Sequence, residues 1–451
     1  MAEQMKQEAA GKTIPAGYKQ TEVGVIPEDW VVSQIGVIAD VIRGASPRPK
    51  GDKRFYGGCI PRLMVEDVTR DGKYVTPAVD SLTEMGAKLS RPCLAGTLTI
   101  VCSGTVGVPS ILAVDACIHD GFLGLNKVNK NISVDYLFHF FSTQKEKFNN
   151  SATHGGVFTN LTTDAVKNFL IAMPGNKQEQ TAIANVLSDS DALIDALEQL
   201  IAKKQAIKSA TMQQLLTGRT RLPAFALRPD GTKKGYKPSE LGDIPEDWAI
   251  TNIGSQCTIF GRIGFRGYTK EDIVGEEDGV ISLSPSNIKN GKLTYNGCTY
   301  ITWEKYEESP EIKIYNNDIL LVKTGSTFGK IGIVKNLPKE ATLNPQIVVL
   351  KKLKCHYGFL GAMMGFNIVQ DQINESIVGG AIPTLSQKEV SNFLIPLPTI
   401  EEQTAIATIL SDMDNELQAL TQKLEKARAL KQGMMQQLLT GKIRLPLAAG
   451  A

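Results

Sequence analysis

The sequence predicts an α+β protein built twice. Two globular α/β domains are separated by two long helices that form an antiparallel coiled coil, with a pseudo-two-fold internal repeat. Three observations lead there. Residues 179–223 (EQTAIANVLSDSDALIDALEQLIAKKQAIKSATMQQLLTGRTRLP) align without a gap on residues 402–446, and 26 of the 45 positions are identical. A shorter echo opens each half, YKQTEVGVIPEDWVVSQIG at 18–36 and YKPSELGDIPEDWAITNIG at 236–254. Apolar residues in the long repeat recur with a heptad period, while the segments between opening and repeat diverge.

The repeated segment is the clearest element. In the second copy Ile406, Met413, Leu420, Ala427 and Met434 form one heptad line, and Leu410, Leu417, Leu424, Lys431 and Leu438 the other. The first copy gives Leu187, Ile194, Ile201, Lys208 and Leu215, with Ile183, Ser190, Leu197, Lys204 and Thr211 beside them. An a/d seam of this length is the pattern of a coiled coil. Val186, Leu193, Leu200 and Ile207 widen the first copy's apolar face. An amphipathic helix of about 55 Å cannot stand alone in water, and the other copy is its simplest partner. A whole domain lies between the copies, so antiparallel packing fits best. Lys208 and Lys431 hold equivalent seam positions. A charge there either sets register or snorkels from the helix end. Gly218 and Gly441, each followed closely by proline, stand where a left-handed residue ends a helix.

The expected boundaries are 18–177 for the first domain, 178–223 for the first helix, 224–235 for a linker, 236–400 for the second domain and 401–446 for the second helix. Within the domains, runs 98–102 (LTIVC), 319–323 (ILLVK), 331–335 (IGIVK) and 346–351 (QIVVLK) read as strands. Runs 134–149 and 358–374 read as helices. Glycine turns recur: SGTVG at 103–107 against TGSTFGK at 324–330, and Gly155-Gly156 against Gly379-Gly380. A glycine turn with hydroxyls and a nearby lysine either closes a tight β-turn or presents backbone N–H groups to a phosphate. Arg43, Arg48, Lys50, Lys53 and Arg54 crowd together with only Asp52 opposing. The matching place in the second half holds Arg262, Arg266 and Lys270, followed by an acidic run. Together with Ser103, Thr105, Lys323, Ser326, Thr327 and Lys330 these are the candidate DNA contacts.

Composition narrows the function. Net charge is +2, which points to no partner by itself. The seven cysteines form no C-x-x-C pair and read as buried thiols. The four histidines are not spaced for a metal. No run of about 18 apolar residues occurs, and no secretory h-region opens the chain. A soluble cytoplasmic protein with no membrane partner is expected. Catalytic strings are missing: there is no G-x-S-x-G and no H-E-x-x-H. Asn344-Pro345-Gln346-Ile347 shares two residues with the Asn-Pro-Pro-aromatic string of amino-methyltransferases but lacks the second proline and the aromatic. Glu311-Ile312-Lys313 has nuclease-like spacing without the preceding Pro-Asp. No catalytic residue and no metal ligand is assigned.

The combination resembles a known family. Each variable domain opens on I-P-x-x-W (Ile26 to Trp30; Ile244 to Trp248). Each closes on an apolar-proline strand and an E-Q-x-x-I-A helix start (Glu179-Gln180; Glu402-Gln403). From Tyr18 to Pro446 the chain is similar to the specificity subunits of type I restriction-modification systems, the HsdS family. The first turn departs from the second in lacking the equivalent of Lys330. The resemblance implies two target recognition domains, each reading half of a bipartite, asymmetric site in double-stranded DNA. It implies a coiled-coil spacer carried by Leu187, Ile194, Leu197, Ile201, Leu215, Leu410, Met413, Leu417, Leu420 and Leu424. It also implies docking of two methyltransferase subunits, and of two restriction subunits where these exist. S-adenosylmethionine would be bound by the methyltransferase subunits, ATP and magnesium by the restriction subunits, and none by this chain, which would be non-catalytic. The alternative is a two-domain coiled-coil scaffold that binds proteins without nucleic acid.

Overall fold

The computed structural model of the chain describes residues 14–151, 153–154, 159–289, 291–376 and 384–446. The paired glycines Gly155-Gly156 and Gly379-Gly380 lie outside these residues. The chain forms two compact units, Met1–Glu198 with Lys423–Ala451, and Gln199–Gln422. Neither unit coincides with one sequence half. Each takes a globular domain, the first part of the helix that follows it and the last part of the other helix.

The heptad segments are long helices, Lys177–Leu216 and Ile400–Leu438. Every seam position named from the sequence is buried or half-buried, with Leu187, Leu215, Leu410 and Leu424 among the buried ones. Leu193, Leu200 and Ile207 instead face solvent, so the apolar face of the first helix is wider than its seam. Packing is antiparallel in both units. In the first, Glu179 pairs with Arg444, Asp191 with Lys431 and Glu198 with Arg428. In the second, Glu402 pairs with Arg221, Asp414 with Lys208 and Glu416 with Lys204. One number rises as the other falls. Lys208 and Lys431 are each held in an ion pair, with Asp414 and Asp191 on the facing helix.

The repeated motifs join head to tail inside each unit. The strand Trp30–Gln34 pairs with Leu170–Pro174, and Ala249–Asn252 pairs with Leu394–Leu397. Trp30 and Trp248 are buried beneath them. Arg444 reaches both Asp29 and Glu179 at 2.5–2.8 Å, and Arg221 reaches both Asp247 and Glu402 at 2.7–3.0 Å. The conserved geometry explains E-Q: the glutamate clasps the arginine while the glutamine ties the domain. Gln180 accepts from the Ser133 amide and donates to the Pro174 carbonyl; Gln403 does the same with His356 and Pro398. Gly218 and Gly441 both have φ of 69°. A Cβ there would lie 2.4 Å from Pro245 or 2.5 Å from Pro27. Proline of I-P-E-D-W and glycine of the helix end are thus two sides of one contact. Tyr18 and Tyr236 hydroxyls donate to the carbonyls of Gly441 and Gly218.

Among the described residues each globular domain holds two sheets of four or more strands, beside two-stranded pairs such as those above. In the first, Asp40–Arg43, Phe122–Asn126, Leu98–Val101, Pro109–Leu112 and Tyr74–Val75 form the larger, in that order. Asp80–Leu82, Tyr56–Leu63, Ala116–Ile118 and Pro92–Cys93 form the smaller. The second domain repeats this with six and four strands, the larger including Ile347–Lys351 and the smaller Val280–Leu283. The larger sheet packs on the long helices, because Leu98, Ile100 and Leu123 share a core with Leu187 and Leu438, and Ile319 and Val348 share one with Leu215 and Leu410. The expected helices at 134–149 and 358–374 each break once, at Gln144 and at Gly365-Phe366.

Where domain meets helices, the units differ. In the first, His139 is buried and its Nε2 lies 3.0 Å from Ser188 Oγ. Lys73 donates to Ser188 at 2.8 Å, pairs with Asp135 at 2.7 Å and lies over the Phe138 ring. Burial, aided by Lys73, lowers the His139 pKa to about 4. In the second unit, Gly361 and Ala362 stand on the helix Tyr357–Met364 that matches the one carrying Phe138 and His139. There the junction is a cleft of about 870 Å³, walled by Lys208, Lys292, Lys330, Asp414 and Ala362.

Candidate nucleic-acid interface

In the first unit the candidate cations gather at the corner where the small sheet crosses to the large one. Residues 119–121 join Ala116–Ile118 to Phe122–Asn126. Arg43, at the end of its strand, donates to the Asp120 carbonyl and to Asn160 Oδ1, both at 3.2 Å. Arg48, 72% exposed, pairs with the Asp120 carboxylate at 3.6 Å. Ser46 donates to the same carboxylate at 2.7 Å. Burial raises the Asp120 pKa, but Ser46, His119 and Arg48 outweigh it and hold the group below its ordinary value. His119 is pushed down by its own burial, against the pull of Asp120. Behind the corner Arg62 is buried; it pairs with Asp80 and donates to Ser46. Ser103 bridges to Asn160, which brings the glycine turn to the same place, with Thr105 exposed at its tip. Lys50 and Lys53 are exposed, and Arg54 folds back onto Asp52 at 2.6 Å.

The second unit builds the same corner from different side chains. Residues 344–346 join Ala341–Leu343 to Ile347–Lys351. The Gln346 amide donates to Asn344 Oδ1 at 3.0 Å, as the Gly121 amide donates to His119 Nδ1 at 2.8 Å. The amides of Lys323 and Cys102 donate to the Gln346 and Gly121 carbonyls, both at 2.8 Å. The fragment NPQI is therefore a turn that sets a sheet corner. Thr324 bridges to Thr384 as Ser103 does to Asn160.

Not every candidate reaches this surface. Arg262 is 3% exposed, and its guanidinium donates to the Leu343 carbonyl, the Arg266 carbonyl and Thr342 Oγ1. This corrects the expectation that it contacts DNA: its donors brace the corner from within. Arg266 is half-buried, with Glu308 and Glu311 as partners. Lys270 is exposed on the short turn Lys270–Asp272. Lys323 is half-buried at the turn, Thr327 is half-buried, and Ser326 and Lys330 are exposed, Lys330 on the wall of the cleft. Sequence reasoning missed Asp120, His119, Asn160 and Arg62. The signal available was the polar pair immediately before the strand at 122–126. Among the described residues no group of His, Cys, Asp and Glu could hold a metal, and no helix is long and apolar enough to cross a membrane.

Comparison with known proteins agrees with this construction. The chain is 26% identical over 425 residues to the type I restriction enzyme MjaVIII specificity subunit of Methanocaldococcus jannaschii, covering 93% of this chain and 94% of that one. It is 24% identical over 314 residues to the EcoBI specificity subunit of Escherichia coli, covering 66% of this chain and 63% of that one. The fold is similar to the crystal structure of the type I restriction-modification S subunit from M. genitalium, with a TM-score of 0.57 at 12% identity over 97% of this chain and 99% of that one. The sequence model of the type I restriction modification DNA specificity domain matches twice, at residues 27–208 and 245–428, and the chain belongs to that family.

Proposed function

We propose that the chain is the DNA-specificity subunit of a type I restriction-modification complex. The observation that carries this reading is one corner built twice on a constant frame with different side chains. A shared frame with unlike readers suits a bipartite site whose two halves differ in sequence. Arg43, Lys50, Lys53, Lys270, Ser326 and Lys330 would hold phosphates, which position the protein without specifying bases. The long helices would dock two methyltransferase subunits, and restriction subunits where the system has them. Exposed Leu193, Leu200, Ile207 and Leu430 support a helical docking face. The chain is proposed to be non-catalytic and cytoplasmic. S-adenosylmethionine belongs to the methyltransferase subunits, and ATP and magnesium to the restriction subunits.

The deciding experiment maps DNA methylation by the assembled complex at single-base resolution. A split, asymmetric motif with a fixed gap is expected; a continuous motif, or none, removes the reading. Replacing Lys50 and Lys53 by Ala together is expected to weaken binding and flatten its salt dependence, because each lost phosphate contact lowers the slope by about one.

A further inference from the structure

We propose that the two sheet corners are the base-reading positions, with Arg48 on Asp120 reading a G·C pair in one half-site and Gln346 on Asn344 reading an A·T pair in the other. This rests on the DNA-reading function proposed above. It goes further by assigning which side chains read, and which base pair each selects.

The first support is geometric. Corner residues 119–121 and 344–346 share a backbone frame: the same turn hydrogen bond, the same link to the strand carrying the glycine turn, and the same passage from small sheet to large. A fixed frame with replaceable side chains is what two readers of unlike sequence need. At the Arg–Glu–Asp clasps the repeat preserves side chains as well as geometry. At the corners it preserves geometry alone.

The second support is the chemistry displayed. Arg48 is exposed, with its guanidinium at ion-pair distance, 3.6 Å, from the Asp120 carboxylate. That carboxylate is itself fixed by Ser46, and Arg62 donates to the Ser46 hydroxyl from behind. A fork-shaped donor held near this corner by charge matches the O6 and N7 acceptors of guanine in the major groove. Lysine in its place would offer a point charge without the fork. In the second unit Gln346 is exposed while Asn344 is buried. Asn344 donates to Gln346 Oε1 at 3.1 Å, which sets the amide's orientation. Oε1 keeps a second lone pair to accept from adenine's N6 amino group, and Nε2 remains a donor to adenine's N7. Gly325 has φ of 106°, and a Cβ there would lie 3.3 Å from Gln346 Nε2. The glycine turn thus leaves room for the amide to lie across it.

The test uses the assembled complex and methylation mapping. Gln346→Ala and Gln346→Glu are expected to relax one A·T position in one half-site, with discrimination falling roughly ten- to hundred-fold. The other half-site should be untouched. Arg48→Lys and Asp120→Asn are expected to relax one G·C position in the opposite half-site by a similar factor. Lys50→Ala, as the contrast, should lower methylation at every site uniformly. All these positions except Asp120 are exposed, so assembly is expected to survive. The proposal is overturned if the variants change methylation uniformly, or relax positions of the wrong base pair. A wild-type complex that marks no split motif overturns the DNA-reading function itself.

Discussion

The two junctions between domain and helices share their frame and differ in their filling. In the first unit Phe138, His139 and Lys73 occupy the space beside the Asp191–Lys431 pair; in the second, Gly361 and Ala362 leave a cleft beside the equivalent Asp414–Lys208 pair. The difference shows which contacts hold a domain to the helices. Clasp, tryptophan, glycine end and glutamine tie are present in both units, so the frame closes whether or not the junction is filled. Filling then adds local stability, and with it a local sensitivity to acid.

Mutations can break this comparison in graded steps. Arg221→Ala should cost most, about 3–5 kcal/mol in urea unfolding of the full chain, because Glu402 is 1% exposed and would lose its charge partner, keeping only the Trp248 indole N–H. Arg444→Ala should cost less, since that arginine is more exposed than Arg221. Equal losses would show that burial at the two clasps does not matter.

His139→Ala should cost about 1–3 kcal/mol near neutral pH by emptying the first junction. It should also remove a pH dependence. The folded pKa is about 4 against an ordinary value of 6.5, so the unfolded chain binds the extra proton between those values. Stability contributed by this residue is present above pH 6.5 and lost as pH falls toward 4. A variant that keeps the wild-type slope between pH 6.5 and 4 would show that the slope lies elsewhere.

Gly218→Ala and Gly441→Ala should each cost about 1–2 kcal/mol from the left-handed backbone alone, and more from contact with proline. Equal costs are expected because the two ends match. Smallest of all, Ala362→Leu should change stability by less than about 1 kcal/mol, since the cleft has room for it. A large loss there would mean that the cleft closes in solution.

The helices were legible because a heptad seam is a local pattern, and all its positions are at least half-buried. Their antiparallel pairing was also legible, since a whole domain lies between the copies. The clasp was written in the sequence as identical Glu, Asp and Arg in both copies, but identity alone does not say which residue meets which. Arg262 could not be placed from sequence, because its burial depends on the strand at 341–343, some eighty residues away. The corner pairs escaped for the opposite reason. They are the places where the repeat diverges, and divergence leaves no pattern to align. NPQI was visible as a string, but only the sheet crossing shows that it is a turn.

The clasp of Arg444 on Asp29 and Glu179 also sets a timetable. The second unit is one continuous stretch, Gln199–Gln422, whereas the first needs Lys423–Ala451 to finish. At roughly 5–20 residues per second, Asp29 leaves synthesis roughly 20–80 s before its arginine exists. The domain made first is therefore completed last. During that interval Asp29 waits without its arginine, and Glu179, made later, joins the wait.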